Sequence, residues 1–238
     1  MKQSDLELAT ISLELEDKTP QEILTWAWGT YGSKLTMATA FGAEGCVIIS
    51  MLADISKEIR LFNLDTGYQF NETLATRQRL IDKYGIPIHL VASELSVEQM
   101  EKDHNGPIYG SNPDLCCHIR KVVPLEKAVL GFDAWISALR RDQTSNRASA
   151  PIIARDKKTG LVKINPLANW TKSKVWDYIL ANDVPYNPLH DQGYPSIGCW
   201  PCTRAVGAGE DDRAGRWSGT AKNECGLHTS SEMAGDLR

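Results

Sequence analysis

Six cysteines punctuate this 238-residue chain, at 46, 116, 117, 199, 202 and 225. Four of them form two pairs: Cys116 and Cys117 in "LCCHIRK", Cys199 and Cys202 in "GCWPC". Adjacent cysteines are badly placed to bridge each other, since a disulfide needs its Cβ atoms about 4 Å apart and a dihedral near 90°. They can instead face one metal centre together, and a C-x-x-C turn from a distant segment completes the four thiolates that zinc or a 4Fe-4S cluster takes. A C-C pair crowds a single tetrahedral ion, whereas a cubane offers separate irons, so the spacing leans toward 4Fe-4S and leaves zinc open. Cys46 opens an apolar stretch and reads as a core residue. Cys225 is left over, in "NECGLH".

Cations gather in three places: Arg120 and Lys121 after the first cysteine pair, "RRDQTSNR" over 140–147, and "DDRAGRW" with Arg213 and Arg216. Each stretch alone reads as solvated surface. Two adjoin the cysteine pairs, so convergence on an anion is a second reading, with arginine forks suited to phosphate or sulfate oxygens. Two loops add to it. "ATAFGAEG" places Gly42 and Gly45 where backbone can approach a ligand at a helix N-terminus, and "NLDTGYQFNET" places Asp65, Thr66 and Gly67 at a strand end. Neither the Walker nor the dinucleotide glycine pattern is present.

Elements that position these residues alternate. "TPQEILTWAWGTYG" is a helix, with Thr19 as N-cap, Pro20 at the first position, Glu22 closing a capping box and Gly32 as the stop. Strands are expected over 35–40, 58–64 and 88–93, with helices over 46–55 and 72–84 between them. Further on come a helix from about Cys117 to Leu130, a strand over 132–139, a hairpin about "KKTG" and a helix over 171–182. Such alternation predicts an α/β fold: a doubly wound, mostly parallel sheet with its site at the strand C-termini. Beyond Pro185 regularity fades, so residues 1–206 are expected to form the ligand-binding body and 207–238 a mobile C-terminal tail of the same domain.

Composition is that of a globular protein, 42% hydrophobic and 24% charged with formal net charge −4, and nothing in it suggests nucleic acid as a partner. No apolar run reaches the roughly 18 residues of a membrane span, and the first residues lack the order of a signal peptide. A cytoplasmic location is therefore expected, where the thiols stay reduced.

With these pieces in chain order, "FGAEG", "LDTGYQF", "CCHIRK", "RRDQTSNR", "GCWPCTR", "RAGRW" and "ECGLH", the chain resembles the assimilatory adenylyl-sulfate (APS) reductases. These are the iron-sulfur branch of the family shared with 3′-phosphoadenylyl-sulfate (PAPS) reductases. The resemblance covers residues 41–228 and implies a fold of the adenine-nucleotide alpha-hydrolase, PP-loop-like type. It implies a 4Fe-4S cluster on Cys116, Cys117, Cys199 and Cys202, and Cys225 as a nucleophile forming S-sulfocysteine. It also implies APS bound by Lys121, Arg147, Arg213, Arg216 and His228, with Gly42 and Asp65 at the strand ends. Thioredoxin or a similar dithiol would be the reductant, and association of like chains is open. Departures are Thr39 and Ala40 where relatives often carry serines, Gly45 where an acid is usual, and Trp200 inside the C-x-x-C turn. Three alternatives remain at this stage: PAPS as sole or second substrate, an ATP-dependent adenylating enzyme, and a metal-stabilised nucleotide-binding protein without catalysis.

Overall fold

The computed structural model describes residues 3–220, 222 and 227. Their contacts gather into two compact units: unit 1 comprises residues 1–62, 76–89 and 131–186, and unit 2 comprises 63–75, 90–130 and 187–238. The boundary at 206 suggested by composition falls inside unit 2.

A six-stranded sheet organises the fold, with β1 Leu35–Thr39, β2 Arg60–Asp65, β3 Ile88–Ala92, β4 Ala134–Ile136, β5 Ile153–Arg155 and β6 Val162–Ile164 in the order β3-β2-β1-β4-β6-β5. β4 runs parallel to both β1 and β6, and β5 closes the edge antiparallel to β6 as the expected hairpin. The order reverses beside β1, where β4 returns on the side away from β2, so this is the expected doubly wound arrangement. Its switch point lies between β1 and β4, both in unit 1.

The helices of unit 1 follow from local chemistry. α1 (Asp5–Glu14) and α2 (Pro20–Tyr31) each start in a complete capping box, Ser4 with Glu7 and Thr19 with Glu22. Each box satisfies backbone N–H groups that a helix start leaves without partners. α1 has no counterpart among the sequence expectations: it leaves Leu6 and Leu13 exposed, so its apolar residues do not form one stripe. α3 (Ala43–Ile55) is apolar nearly all round because it is enclosed, with Val47, Ile48, Ile49 and Leu52 fully buried. α4 (Asn71–Tyr84) and α9 (Lys172–Ala181) lie where the spacing predicts them. The unit 1 core joins Leu24, Leu35, Met37, Leu52, Ile136 and Ile164 in one apolar cluster.

Unit 2 is built from shorter pieces: α5 (Val97–Asp103), α6 (Ile108–Ser111), α7 (Pro113–Cys117) and α8 (Val123–Ala128). The single helix expected from about Cys117 to Leu130 is instead broken. A wider π turn, His118–Val122, separates α7 from α8, and the Val123 N–H donates to the His118 carbonyl. Pro124 explains the break, because it has no N–H for the Arg120 carbonyl and its ring clashes there. The strand expected over 132–139 is also shorter, Ala134–Ile136, although the Ser137 N–H still donates to the Ile164 carbonyl of β6 at 2.9 Å. Among the described residues no helix is long and apolar enough to cross a membrane.

Candidate active site

In unit 2 the structure brings both cysteine pairs to one small open pocket. Cys116, Cys117, Cys199 and Cys202 line it together with Arg120, Lys121, Tyr68, Tyr109 and Trp217. The first pair reaches it from the end of α7, whose Asn112 side chain caps Leu115 and whose Pro113 occupies the first turn. The second pair arrives on a short 3-10 turn, Trp200–Cys202. Backbone contacts hold that turn to the loop leaving β2: Gln69 bridges Cys199, and the Trp200 N–H donates to the Tyr68 carbonyl at 2.8 Å.

Thr66 is the hub of this arrangement. Its hydroxyl lies 3.3 Å from the Cys199 Sγ and accepts from the Tyr68 N–H at 3.2 Å, while its carbonyl accepts from Arg120 Nε at 2.8 Å. Arg120 also donates to the Leu95 carbonyl and is only 4% exposed, so it pins two loops and is not a solvated surface charge. Asp65 accepts from the Gly67 N–H at 2.9 Å, the Asx turn that shapes the same loop.

Electrostatics couple the thiols. Burial, then the neighbouring Cys199 and Cys202, pushes the Cys116 thiol up to about 11, against the pull of Lys121 and Arg120. Cys202 is raised as well, chiefly by burial and then by Cys199, with Lys121 and Arg216 acting against it. Without a bound cation these groups hold their protons at neutral pH, and any group taking them as thiolates displaces those protons. Among the described residues no three His, Cys, Asp or Glu side chains gather around a position for one metal ion. The donor set therefore comprises four thiols spread around a pocket, with cations beside them.

A second feature is a cation cluster on an indole. Trp217 is 3% exposed and holds a left-handed backbone at φ 50°, a strained conformation for a bulky residue. Arg216 stacks 4.4 Å from its ring centre, with Lys222 at 5.5 Å and Arg213 at 5.9 Å. Arg216 Nη1 reaches Ser196 and the Ile197 carbonyl at 3.3 and 3.4 Å, whereas its Nε is a buried donor with no acceptor among the described residues. Gly198 makes room for it, because a Cβ there would overlap the Arg216 guanidinium. Sequence reasoning named the arginines but passed over Trp217; its signal was an aromatic directly after "RAGR".

Unit 1 contributes the other two anticipated positions, Gly42 and Arg147. Gly42 is the N-cap of α3, at φ −64° and ψ 163°, a conformation open to any residue. A Cβ there would make only ordinary contact, at 3.6 Å from Glu44 Oε2. Gly45 is the sterically required glycine, since its Cβ would lie 2.8 Å from Thr39 Oγ1. Between them the chain passes through Phe41 at φ 58°, held by its N–H on Thr39 Oγ1 at 3.1 Å. Arg147 is the buried last residue of a 3-10 turn, Ser145–Arg147, and donates to Gln143 Oε1. Cys46 is enclosed in the core, where burial pushes its thiol up to about 12, as expected of an inert residue. The anticipated nucleophile Cys225 and the anion ligand His228 lie outside the described residues.

A family model for the phosphoadenosine phosphosulfate reductase domain matches residues 34–205. The chain is 46% identical over 207 residues to an adenosine 5′-phosphosulfate reductase of Bacillus pumilus, covering 87% of this chain and 89% of the relative. It is 43% identical over 224 residues to a phosphoadenosine 5′-phosphosulfate reductase of Gloeobacter violaceus, covering 93% of each. The crystal structure of the phosphoadenylyl-sulfate reductase of Candida auris, a phosphate complex, superimposes with a TM-score of 0.76 at 33% identity, over 87% of this chain and 99% of that one. The two sequence patterns that flank the pocket, the β2-end loop and the paired cysteines, thus belong to a fold shared with these enzymes, and the chain is a member of the phosphoadenosine phosphosulfate reductase family.

Proposed function

We propose that this enzyme reduces adenosine 5′-phosphosulfate to sulfite and AMP in sulfate assimilation, by way of an S-sulfocysteine on Cys225. The observation that carries this reading is the unit 2 pocket, where four thiols meet Lys121 and the indole that carries Arg213 and Arg216. A site with that donor set suits a thiolate-bound metal cluster beside a sulfonate. The name of the Bacillus pumilus relative supports APS as the nucleotide.

Cys116, Cys117, Cys199 and Cys202 would hold a 4Fe-4S cluster. Four sulfurs lining one pocket, two of them adjacent in the chain, suit a cluster with separate irons better than a single tetrahedral ion. Bound there, the cluster would take the four sulfurs as thiolates, releasing their protons, and would tune the field over the pocket beside Lys121. The remaining chemistry is done by side chains. Lys121, Arg213 and Arg216 would balance charge on the sulfonate and phosphate; for Arg147, His228, Gly42 and Asp65 a contact with the nucleotide is what the resemblance implies. The Cys225 thiolate attacks the sulfur of APS, the S–O bond to the phosphate breaks, and AMP leaves with that electron pair. Nearby cations favour the attacking thiolate and stabilise the departing phosphate. A dithiol such as thioredoxin then attacks the Cys225 sulfur, sulfite leaves with the S–S electron pair, and the second thiol resolves the mixed disulfide. Two electrons pass from dithiol to sulfur, in a cytoplasmic setting that keeps such dithiols reduced.

Incubation with APS in the absence of reductant tests the chemistry. One SO3 added to the Cys225 peptide, seen by mass spectrometry, is expected, and Cys225→Ser is expected to form neither adduct nor sulfite while still binding nucleotide. Sulfite production by that variant overturns the mechanism. A second reading, PAPS as sole or additional substrate, is favoured by the names of the Gloeobacter and Candida proteins. Sulfite release compared between the two nucleotides separates them, and equal efficiency would make the enzyme dual.

A further inference from the structure

The switch point of the sheet, between β1 and β4, is where doubly wound folds place their ligands. Here the two chain segments leaving those strands, 40–45 and 137–147, are tied together by a polar network inside unit 1. Arg140, 5% exposed, donates through Nε to Glu44 Oε1 at 2.9 Å and pairs through Nη1 with Asp142 at 3.0 Å. Asp142 in turn accepts from the backbone N–H of Lys172, the first residue of α9, at 3.0 Å. The 140–147 loop is thereby anchored to the first turns of two helices, α3 and α9, which are more rigid supports than another loop would be.

Gln143 stands at the centre. Its Nε2 donates to Glu44 Oε1 at 3.2 Å, and its Oε1 accepts from the Arg140 N–H at 3.1 Å and from Arg147 Nη1. That pattern fixes the amide orientation, because the flipped form would face two donors with an NH2 and an acceptor with a carbonyl oxygen. A carboxylate at 143 could accept from Arg147 but would meet the Glu44 carboxylate with like charge. It would also neutralise the guanidinium it holds. The amide orients Arg147 and adds no opposing charge of its own.

We infer that Gln143 is a positioning residue for Arg147: anchored on Glu44, it aims the guanidinium at the anionic part of the nucleotide without neutralising it. This rests on the proposed role of Arg147 in binding APS. The test is calorimetric binding of APS to the full chain, free of any need for turnover or reductant, with melting temperature followed alongside. Gln143→Met is expected to weaken binding about tenfold, the scale of one lost hydrogen bond to a charged group. Gln143→Glu keeps the accepted bonds but adds the opposing charge, and is expected to weaken binding at least as much. Arg147→Ala is expected to weaken it further, and Gln143→Met added to Arg147→Ala to do nothing more, the non-additivity of two residues acting as one. A merely structural Gln143 would lower the melting temperature and multiply the Arg147→Ala effect. That result, or wild-type affinity in Gln143→Glu, overturns this inference alone. Wild-type affinity in Arg147→Ala overturns the placement of Arg147 and this inference with it, and absence of APS binding by the unaltered chain overturns the functional reading beneath both.

Discussion

Unit 1 and unit 2 handle cysteine in opposite ways. Unit 1 encloses Cys46 among Phe41, Val47 and Ile49, its Sγ 3.6 Å from the Phe41 carbonyl, and burial alone makes it inert. Unit 2 gathers four thiols at a small pocket, where burial and neighbouring cysteines raise Cys116 and Cys202, beside an apolar cluster whose buried members are Tyr68, Met100, Ile108 and Cys116. The first unit is held by area removed from water. The second gives core positions to thiols and polar hubs such as Thr66 and Arg120, so its order is expected to depend on the proposed cluster more than unit 1 does.

Removing a ligand tests that dependence most severely. Cys116→Ser is expected to lose iron and sulfide and, with them, most amide-exchange protection over 95–125, because a cluster that binds only the folded state contributes its binding free energy to folding. Protection in β1 and β4 of unit 1 is expected to remain. Equal loss in both units would mean that the two share one source of stability, and the contrast drawn here would fail.

A core truncation in unit 1 gives the complementary result. Leu52 is fully buried in α3, and Leu52→Ala is expected to cost about 3 kcal/mol in transfer free energy and cavity. Urea unfolding followed by tryptophan emission measures it. Iron content per folded chain should be unchanged, and its loss would show the core and the thiol pocket to be coupled.

The same contrast explains what the sequence made legible. In unit 1 apolar periodicity and end signals decide the structure: the α2 capping box, the "KKTG" hairpin and the α3 run were readable because burial and local hydrogen bonds are local properties. In unit 2 the pattern "CHIRKVVPLEKAVL" over 117–130 reads as one helix, and Pro124 is the signal in it that the helix breaks. Residue type revealed the four pocket thiols, since few other uses exist for such pairs. The roles of Arg120 and Trp217 were hidden, because a buried guanidinium on two carbonyls and an indole under three cations are products of tertiary contact. The Gln143 network was hidden for the same reason: its partner Glu44 is 99 residues away in the chain.

The smallest effect is the most local one. Thr19 caps α2 through a hydroxyl that accepts from the Glu22 N–H at 3.2 Å, while Glu22 Oε2 accepts from the Thr19 N–H at 2.8 Å. Both bonds are solvent-exposed, so water competes for them and the net worth is that of an ordinary N-cap. Thr19→Ala is expected to cost about 1 kcal/mol of unit 1 stability, and Thr19→Ser close to nothing, because serine restores the accepting oxygen. The Glu22 carboxyl is held below its usual range, first by the Thr19 backbone N–H and then by the Thr19 hydroxyl. A depressed folded-state value means that this contribution is present at neutral pH and fades as pH falls through the carboxylate range. Alanine keeps the backbone N–H, so the difference between Thr19→Ala and the unaltered chain should narrow below about pH 4 only by the share of the bond that the Thr19 hydroxyl donates to Glu22 Oε2 at 2.8 Å. A difference that stays constant to pH 3 would assign the cap to the bond the hydroxyl accepts from the Glu22 N–H, and a change in iron content would break the separation of the two units at its mildest point.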